Sequence, residues 1–311
     1  MTGKKSAVRF DGASKRLTLI FRVVLRYYAY RSLVSESFGT KPYAKFLSSL
    51  GGESPDLSKS DDVILAACDD LYFRSFGIDL IQSIENIGNQ QAVHLHLLEP
   101  AGSVVESVQT LRDRLQFVKL SYTIDPCVLA EGLSRRAVYW NAARFLLAPW
   151  IMDQGPKRLL IIDIDAVMNR NPWPLFSADD MAHSGSFIFR RKERRVWRKV
   201  LASAVLFNGS PGSRHLASAF ARCLAAAYER SPTYHIDQAI PYFLCTIAKR
   251  AVSKFRSADI PAKLMSYNYE YDAAFWTVKG SDGMASFIAE RAKRLQSHEG
   301  RASVGDDVTT G

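Results

Sequence analysis

An apolar run that stops at two carboxylates constrains this chain more than any other stretch. Arg158 to Asn169 reads R-L-L-I-I-D-I-D-A-V-M-N, so Leu159 to Ile162 lead into Asp163 and Asp165 with one isoleucine between them. A short, unbroken run of Leu and Ile bounded by a turn is the pattern of a strand buried on both faces. Such strands belong to the parallel part of an α/β sheet. Open sheets of this kind bind ligands beyond the carboxyl ends of their strands. Two acids just past that edge suit a hard divalent cation, Mn2+ or Mg2+, which takes oxygen ligands and keeps phosphate oxygens as partners.

The flanking sequence supplies the rest of the sheet. Val63 to Cys68 reads as a first buried strand, with Asp69, Asp70 and Tyr72 following its carboxyl end. A helix over Phe76 to Asn86, a strand over Val93 to Leu98, a helix over Ser103 to Leu115 and a strand over Phe117 to Tyr122 complete a β-α-β-α-β half. Short connections of this kind predict a doubly wound sheet. Arg135 to Met152 then predicts one long helix, weakened near its end by Pro149. Beyond the acids come strands over Ser184 to Phe189 and Ala202 to Phe207. Helices follow over Ser213 to Tyr228 and His235 to Leu244, then an extended piece over Lys263 to Tyr269. A strand and turn over Phe275 to Gly280 and a helix over Met284 to Leu295 close the pattern. We divide the chain into a basic arm (1–60) whose end, Gly51 to Ser60, reads as a linker, one α/β domain (61–295) and a polar tail (296–311). His94 and His96 share one face of the second strand; packed or surface histidines are the ordinary reading, a ligand pair the alternative.

Composition narrows the partners. With 311 residues, 47% of them hydrophobic, the chain can bury a large core. No run of 18 uncharged apolar residues spans a membrane, and the basic start lacks the apolar stretch of a secretory signal. Four cysteines without metal-ligand spacing read as reduced thiols in a cytoplasmic protein. The net charge is +10, but the first 46 residues alone carry a surplus of eight positive charges. The remaining body is nearly neutral, which argues against nucleic acid as its partner. Arg190 to Lys199 is a dense basic loop with one aromatic, Trp197; it reads as solvated, or as an attractor for an anionic acceptor. Leu17 to Val34 predicts an amphipathic helix carrying Arg22 and Arg26 on one face. It either packs on the body or lies on an anionic membrane surface, at the inner face of the membrane.

Taken in order, these pieces resemble the nucleotide-sugar glycosyltransferases of the GT-A fold, most closely the family 8-like group. The resemblance covers Asp61 to Gly280 and rests on A-A-C-Asp69-Asp70-L-Tyr72, on A-A-Arg144-F-L, and on L-L-I-I-Asp163-I-Asp165, the DxD element. It continues through A-V-L-F-Asn208-G-S, H-I-Asp237-Gln238 and W-T-V-Lys279-Gly280. It implies a single α/β GT-A-like domain with a mixed central sheet and helices on both faces, preceded by the basic helical arm. It also implies a sugar moved from a nucleotide-diphosphate donor, UDP-sugar favoured, to a glycan or lipid-linked acceptor. In that scheme Asp163 and Asp165 hold the metal that stabilises the leaving diphosphate, and Asp163 also reaches the donor. Arg144 pairs with the diphosphate or steadies Asp163. Asp69 or Asp70 takes the base edge and Tyr72 stacks on the ring. Asn208 belongs to the donor site, and Lys279 and Gly280 close over the phosphates. Asp237 and Gln238 lie beside the sugar as catalytic residues. The family's terminal segment carries a metal-ligating histidine where Thr277 stands here, and Ser281-Asp282-Gly283 replaces the usual K-P-W. Two alternatives share the residues. D-I-D-A-V also fits a haloacid-dehalogenase-type phosphatase with Asp163 as nucleophile, although that motif ordinarily opens its domain. A GT-A-like domain that binds without turnover is the other.

Overall fold

The computed structural model describes residues 18–58, 60–179, 182–232, 234, 236–251, 255–278 and 283–302. Two helices come first, α1 (Leu19–Val34) and α2 (Thr40–Ser49). The segment read as a linker begins instead with a short strand, β1 (Gly51–Gly52), paired antiparallel with β4 (Val118–Asp125) through Gly51–Ile124 and Gly52–Thr123. Between them run β2 (Asp62–Cys68), α3 (Asp70–Tyr72), a π-helical turn over Phe73–Gly77, α4 (Ile78–Glu85), β3 (Gln91–Leu98) and α5 (Gly102–Arg112). The long helix expected over Arg135 to Met152 is broken at Asn141–Ala142 into α6 (Ala137–Trp140) and α7 (Ala143–Asp153). Then come β5 (Arg158–Ile162), β6 (Ala166–Met168), β7 (Gly185–Phe189), β8 (Val200–Asn208), α8 (Pro211–Tyr228) and α9 (Ala239–Ala251). The remaining elements are β9 (Ser257–Asp259), β10 (Met265–Ser266), β11 (Phe275–Thr277) and α10 (Met284–Ala302).

The main sheet has the order β1-β4-β3-β2-β5-β8-β7-β9. Strands β4, β3, β2 and β5 are parallel, whereas β8 is antiparallel to both β5 and β7. The chain builds outward from β2 to β3 and β4, then returns to place β5 on the other side of β2. The switch point of the sheet therefore lies between the carboxyl ends of β2 and β5. Physical reasoning puts the ligand crevice there. A small sheet, β10-β11-β6, sits just beyond, with Thr277 opposite Ala166 and Trp276 opposite Val167.

Alternation along β5 divides the core. Leu159 and Ile161 pack with α7, α8 and α9 on one face, together with Leu25, Ala29 and Leu33 of α1. Leu160 and Ile162 pack with Leu80, Ile81 and Ile84 of α4 on the other, and Ile164 continues that side. By the same alternation Asp163 turns toward the α7 face.

The arm is fastened to the body. α1 lies against α8 and α9, and α2 against α8. The buried Arg222 guanidinium of α8 donates to the carbonyls of Ser32, Ser35, Glu36 and Phe38, capping the end of α1. Gly39 follows at φ +73°, where an added Cβ would strike the Arg222 carbonyl. His215 Nε2 also lies 3.0 Å from the Leu33 carbonyl. Among the described residues no helix is long and apolar enough to cross a membrane.

Candidate active site

The two acids of the opening motif stand at the switch point. Asp163 N–H donates to the Ser203 carbonyl at 3.1 Å, carrying the β5–β8 pairing one residue past the strand. Ile164, 5% exposed, packs into the α4 core, so both acids are left at the edge. Gly77, at the end of the π-helical turn, leaves room for this: a Cβ there would sit 2.8 Å from Phe73 and 3.6 Å from the Ile164 side chain. Single π turns inside α-helices recur at functional sites.

Arg144 reaches this edge from α7. Its guanidinium lies 2.6 Å from Asp163 Oδ1 and donates to the Ala202 carbonyl at 3.0 Å. The arginine side chain is 7% exposed and the aspartate 33%. Removing one partner of such a pair costs several kcal/mol, about 3–5 when fully buried. Burial raises the Asp163 carboxyl, with Arg144 pulling the other way. Asp165 is pushed up to about 7, by burial first and then by the charge of Asp163. The pair thus holds more negative charge than its single arginine offsets.

Further groups border the acids. Tyr72, 40% exposed, has its phenol raised by burial and then by Asp165, Asp69 and Asp163. Tyr267 is a second phenol near the acids, 2.9 Å from the Ser203 hydroxyl. Its phenol is raised by burial, Asp163 and Asp165, while Ser203 and Arg190 oppose them. Thr277 donates its hydroxyl to the Asp165 carbonyl at 3.2 Å. Tyr267 and Ser203 escaped the sequence reading; a lone serine inside an apolar strand is a weak signal, and Tyr267 has none of its own.

The other predicted residues are placed as follows. The Asp69 carboxylate accepts from the Tyr72 N–H at 2.8 Å and so caps α3. Asp70 accepts from the Ala101 N–H at 3.1 Å, tying the end of β2 to the start of α5. Asp237 is buried, and Gln238 is half-buried beside it. The buried Tyr228 phenol is raised by burial and by the Asp237 and Asp125 carboxylates and lowered by Arg144, so Asp237 and Arg144 both act on that phenol. Asn208 is not brought to this edge. It pairs with Arg158 at the amino end of β5, because β8 runs antiparallel, and its side chain accepts from the Ser210 N–H and donates to the His183 carbonyl. Lys279 and Gly280 lie outside the described residues. His94 and His96 are fully buried and packed, which answers the question left open for them.

No group of three or more His, Cys, Asp or Glu side chains among the described residues could hold a metal ion. Mg2+ and Mn2+ do not require one. Such ions are commonly held by one or two carboxylates together with substrate phosphates and water. Asp163 and Asp165 fit that donor set, and their excess charge is what a cation would neutralise.

Solved structures supply the comparison. The galactosyltransferase LgtC, in complex with donor and acceptor sugar analogues, matches with a TM-score of 0.53 at 15% identity, over 76% of this chain and 95% of LgtC. The fold is GT-A. WbbM, a bifunctional glycosyltransferase, matches with a TM-score of 0.53 at 13% identity, and the match covers 80% of this chain but 53% of WbbM. The apo form of the glycosyltransferase GlyE from Streptococcus pneumoniae matches with a TM-score of 0.50 at 13% identity, over 78% of this chain and 64% of GlyE. No protein-family model matches the sequence, and no curated protein does. The mixed eight-stranded sheet is the GT-A sheet, and its switch point coincides with Asp163 and Asp165.

Proposed function

We propose that the chain is a glycosyltransferase that moves a sugar from a nucleoside-diphosphate donor, a UDP-sugar in first place, to a glycan or lipid-linked acceptor. One observation carries the reading: a pair of carboxylates with uncompensated charge sits at the switch point of a GT-A sheet. Asp163 and Asp165 would hold a divalent cation there, and that cation, when bound, supplies Lewis-acid stabilisation to the departing diphosphate. Arg144 fixes the Asp163 carboxylate by its ion pair and the sheet by its bond to Ala202. Thr277 holds the backbone of Asp165. Tyr72 offers the exposed ring against which a base can stack, and Asp69 shapes the turn that presents it. In this reading the buried Asp237, with Gln238 next to it, would supply a carboxylate to the sugar, the role that the resemblance implies. The same reading sets the enzyme at an anionic membrane surface on the cytoplasmic side, where lipid-linked acceptors are displayed. The dehalogenase-type reading is set aside, because Asp163 follows a complete β-α-β-α-β half instead of opening the domain.

The test is calorimetric binding and turnover with a panel of UDP- and GDP-sugars, with and without Mn2+ or Mg2+. Binding that needs the metal and is lost in Asp165→Ala is the expected result. Failure to bind any nucleotide sugar sinks the proposal. Binding without transfer or donor hydrolysis identifies a binding protein that has lost turnover.

A further inference from the structure

Helix α1 is apolar on two sides. Leu25, Ala29 and Leu33 are buried against the body. Opposite them, Leu19, Ile20, Val23, Tyr27, Tyr30 and Val34 are 47–79% exposed. These are six of the eleven large hydrophobic residues exposed among the described ones, all on one helix. At about 100° per residue they fall within an arc of roughly 100°, facing away from the body. Arg26 borders the arc on one side and Arg31 on the other. Among the described residues nothing covers this outer face, while the Arg222 clasp holds the helix in place.

The basic hairpin adjoins this helix. Arg22 stacks on Trp197 with its guanidinium carbon 4.2 Å from the ring centroid, and Trp197 meets Tyr234 edge-on at 6.3 Å. Residues 189–195 line an open cavity of about 790 Å3 whose wall carries Arg190, Arg191, Lys192, Arg194 and Arg195. Among the described residues, only Arg190 and Arg191 of that group pair with acids, Glu193 at 3.8 Å and Asp259. Arg190 to Lys199 carries a surplus of six positive charges, and residues 1–46 a surplus of eight. With a net charge of +10 for the whole chain, everything else carries a net −4. Positive charge is therefore concentrated on the arm and on the hairpin it touches.

We infer that the outer face of α1 and the Arg190–Lys199 hairpin form one docking surface for an anionic lipid leaflet, with the apolar arc entering the headgroup–acyl boundary and the hairpin cavity taking lipid phosphate. Helices that lie in that boundary combine an apolar face with flanking Lys and Arg in this way. A second copy of the chain is a poor occupant by charge. α1 has no acid, so pairing two copies through this face would bring Arg26 and Arg31 of each, four arginines, together with no acid of the helix to offset them. The hairpin joins β7 to β8 at the edge where Ser203 meets Asp163. Docking would hold the acids beside the lipid surface, where a phosphate-bearing acceptor is at hand. The inference stands on its own residues and does not require the donor reading.

The experiment is co-sedimentation of the full chain with vesicles of phosphatidylcholine alone and of phosphatidylcholine mixed with phosphatidylglycerol, at physiological salt. Binding only to the mixed vesicles is expected. Ile20→Asp with Val23→Asp should weaken it by at least about tenfold. Arg191→Gln with Lys192→Gln and Arg194→Gln should weaken it on the order of 100-fold. Inorganic phosphate at millimolar levels should compete only slightly, since it offers no apolar layer; full competition would mean that the hairpin binds phosphate and the leaflet plays no part. All substituted side chains lie outside the core, and an unchanged melting temperature in both variants confirms folding. Equal binding to the neutral vesicles, no binding at all, or wild-type binding by both variants overturns the inference. So does self-association by sedimentation velocity that the Ile20→Asp, Val23→Asp variant abolishes, since the occupant would then be a second copy. Nucleotide-sugar binding, measured in parallel, should be the same in both variants, which keeps failure here distinct from failure of the donor site.

Discussion

Aspartates at the carboxyl ends of two parallel strands of the same sheet have opposite surroundings. Asp125 ends β4 and is fully buried. Burial alone would raise its carboxyl, but His96, the Tyr139 hydroxyl and the Cys127 N–H outweigh it and hold the carboxyl below its ordinary value. Tyr139 donates to it at 2.5 Å, Cys127 N–H at 2.7 Å, and His96 Nε2 lies 3.3 Å away. Asp163 and Asp165 follow β5 and share one arginine, and both carboxyls are raised. A carboxylate whose partners are all built into the fold is structural. A pair left short of positive charge at a ligand-binding edge is waiting for a ligand to supply it.

The largest expected effect tests the second half of that contrast. In Asp165→Asn, sugar transfer should fall on the order of 1000-fold, as for loss of one preorganised electrostatic partner. The melting temperature of the metal-free protein should stay level or rise, because a charge without a full partner has been removed. A drop in stability with activity retained would make Asp165 another Asp125. The reverse variant, Asp125→Asn, should cost about 3 kcal/mol in denaturant unfolding, since His96 and Tyr139 lose the charge they surround. The folded fraction should still bind donor normally. Unchanged stability there would break the comparison from its other side.

The sequence shows this contrast only in part, for reasons that particular residues make clear. Strands β2 and β5 are legible because an unbroken apolar run followed by acids has few other readings in a soluble chain. The switch point follows from the order of strands and helices. Strand β1 is hidden because Gly51 and Gly52 pair through backbone alone and carry no side-chain pattern. The sequence places Asn208 at the donor site because chain order does not reveal that β8 runs antiparallel, which carries its last residue to the opposite edge. The break between α6 and α7 follows from packing, with Tyr139 turned to Asp125 and Arg144 turned to Asp163. Tyr267 gains its place only when β10 folds against β11. On α1, the sequence shows the arginine-bearing helix, but which of its apolar sides meets the body depends on how α8 and α9 pack.

A pH series probes the structural network when two proteins that share the same acidic edge are compared, because the raised Asp163 and Asp165 carboxyls take up protons in the same range and act in the opposite direction. His94 is fully buried, with Nδ1 2.8 Å from the Ser121 hydroxyl and Nε2 3.2 Å from the Thr123 hydroxyl. Burial first, and then the charge of His96, push its imidazole down to about 3 from its ordinary value of 6.5. Between those values the unfolded chain binds a proton at this position that the folded chain refuses. Stability from His94 is therefore complete above 6.5 and is lost as the pH falls toward 3. By pH 5 the loss should reach about 2 kcal/mol. The difference in denaturant midpoint between the wild type and His94→Gln, followed from about pH 7.5 to about pH 5, measures it, and the variant should lose less stability on acidification. A slope that His94→Gln leaves unchanged would place the acid sensitivity elsewhere.

The smallest effect lies where the two kinds of site meet. Thr277 is 1% exposed and donates to the carbonyl of Asp165, so it is a satisfied, buried group that touches a functional residue. Thr277→Val keeps the shape and removes the donor. One neutral hydrogen bond is worth about 1 kcal/mol, so stability should fall by that much or less. If the bond serves only the fold, the metal concentration for half-maximal transfer will not move. If it sets the direction in which Asp165 leaves the sheet, that concentration should rise several-fold while the saturated rate changes little, and Thr277→Ser should restore it. A metal titration of the three proteins separates these outcomes. We expect the rise, because the hydroxyl holds the backbone of the residue whose carboxylate has least support of its own.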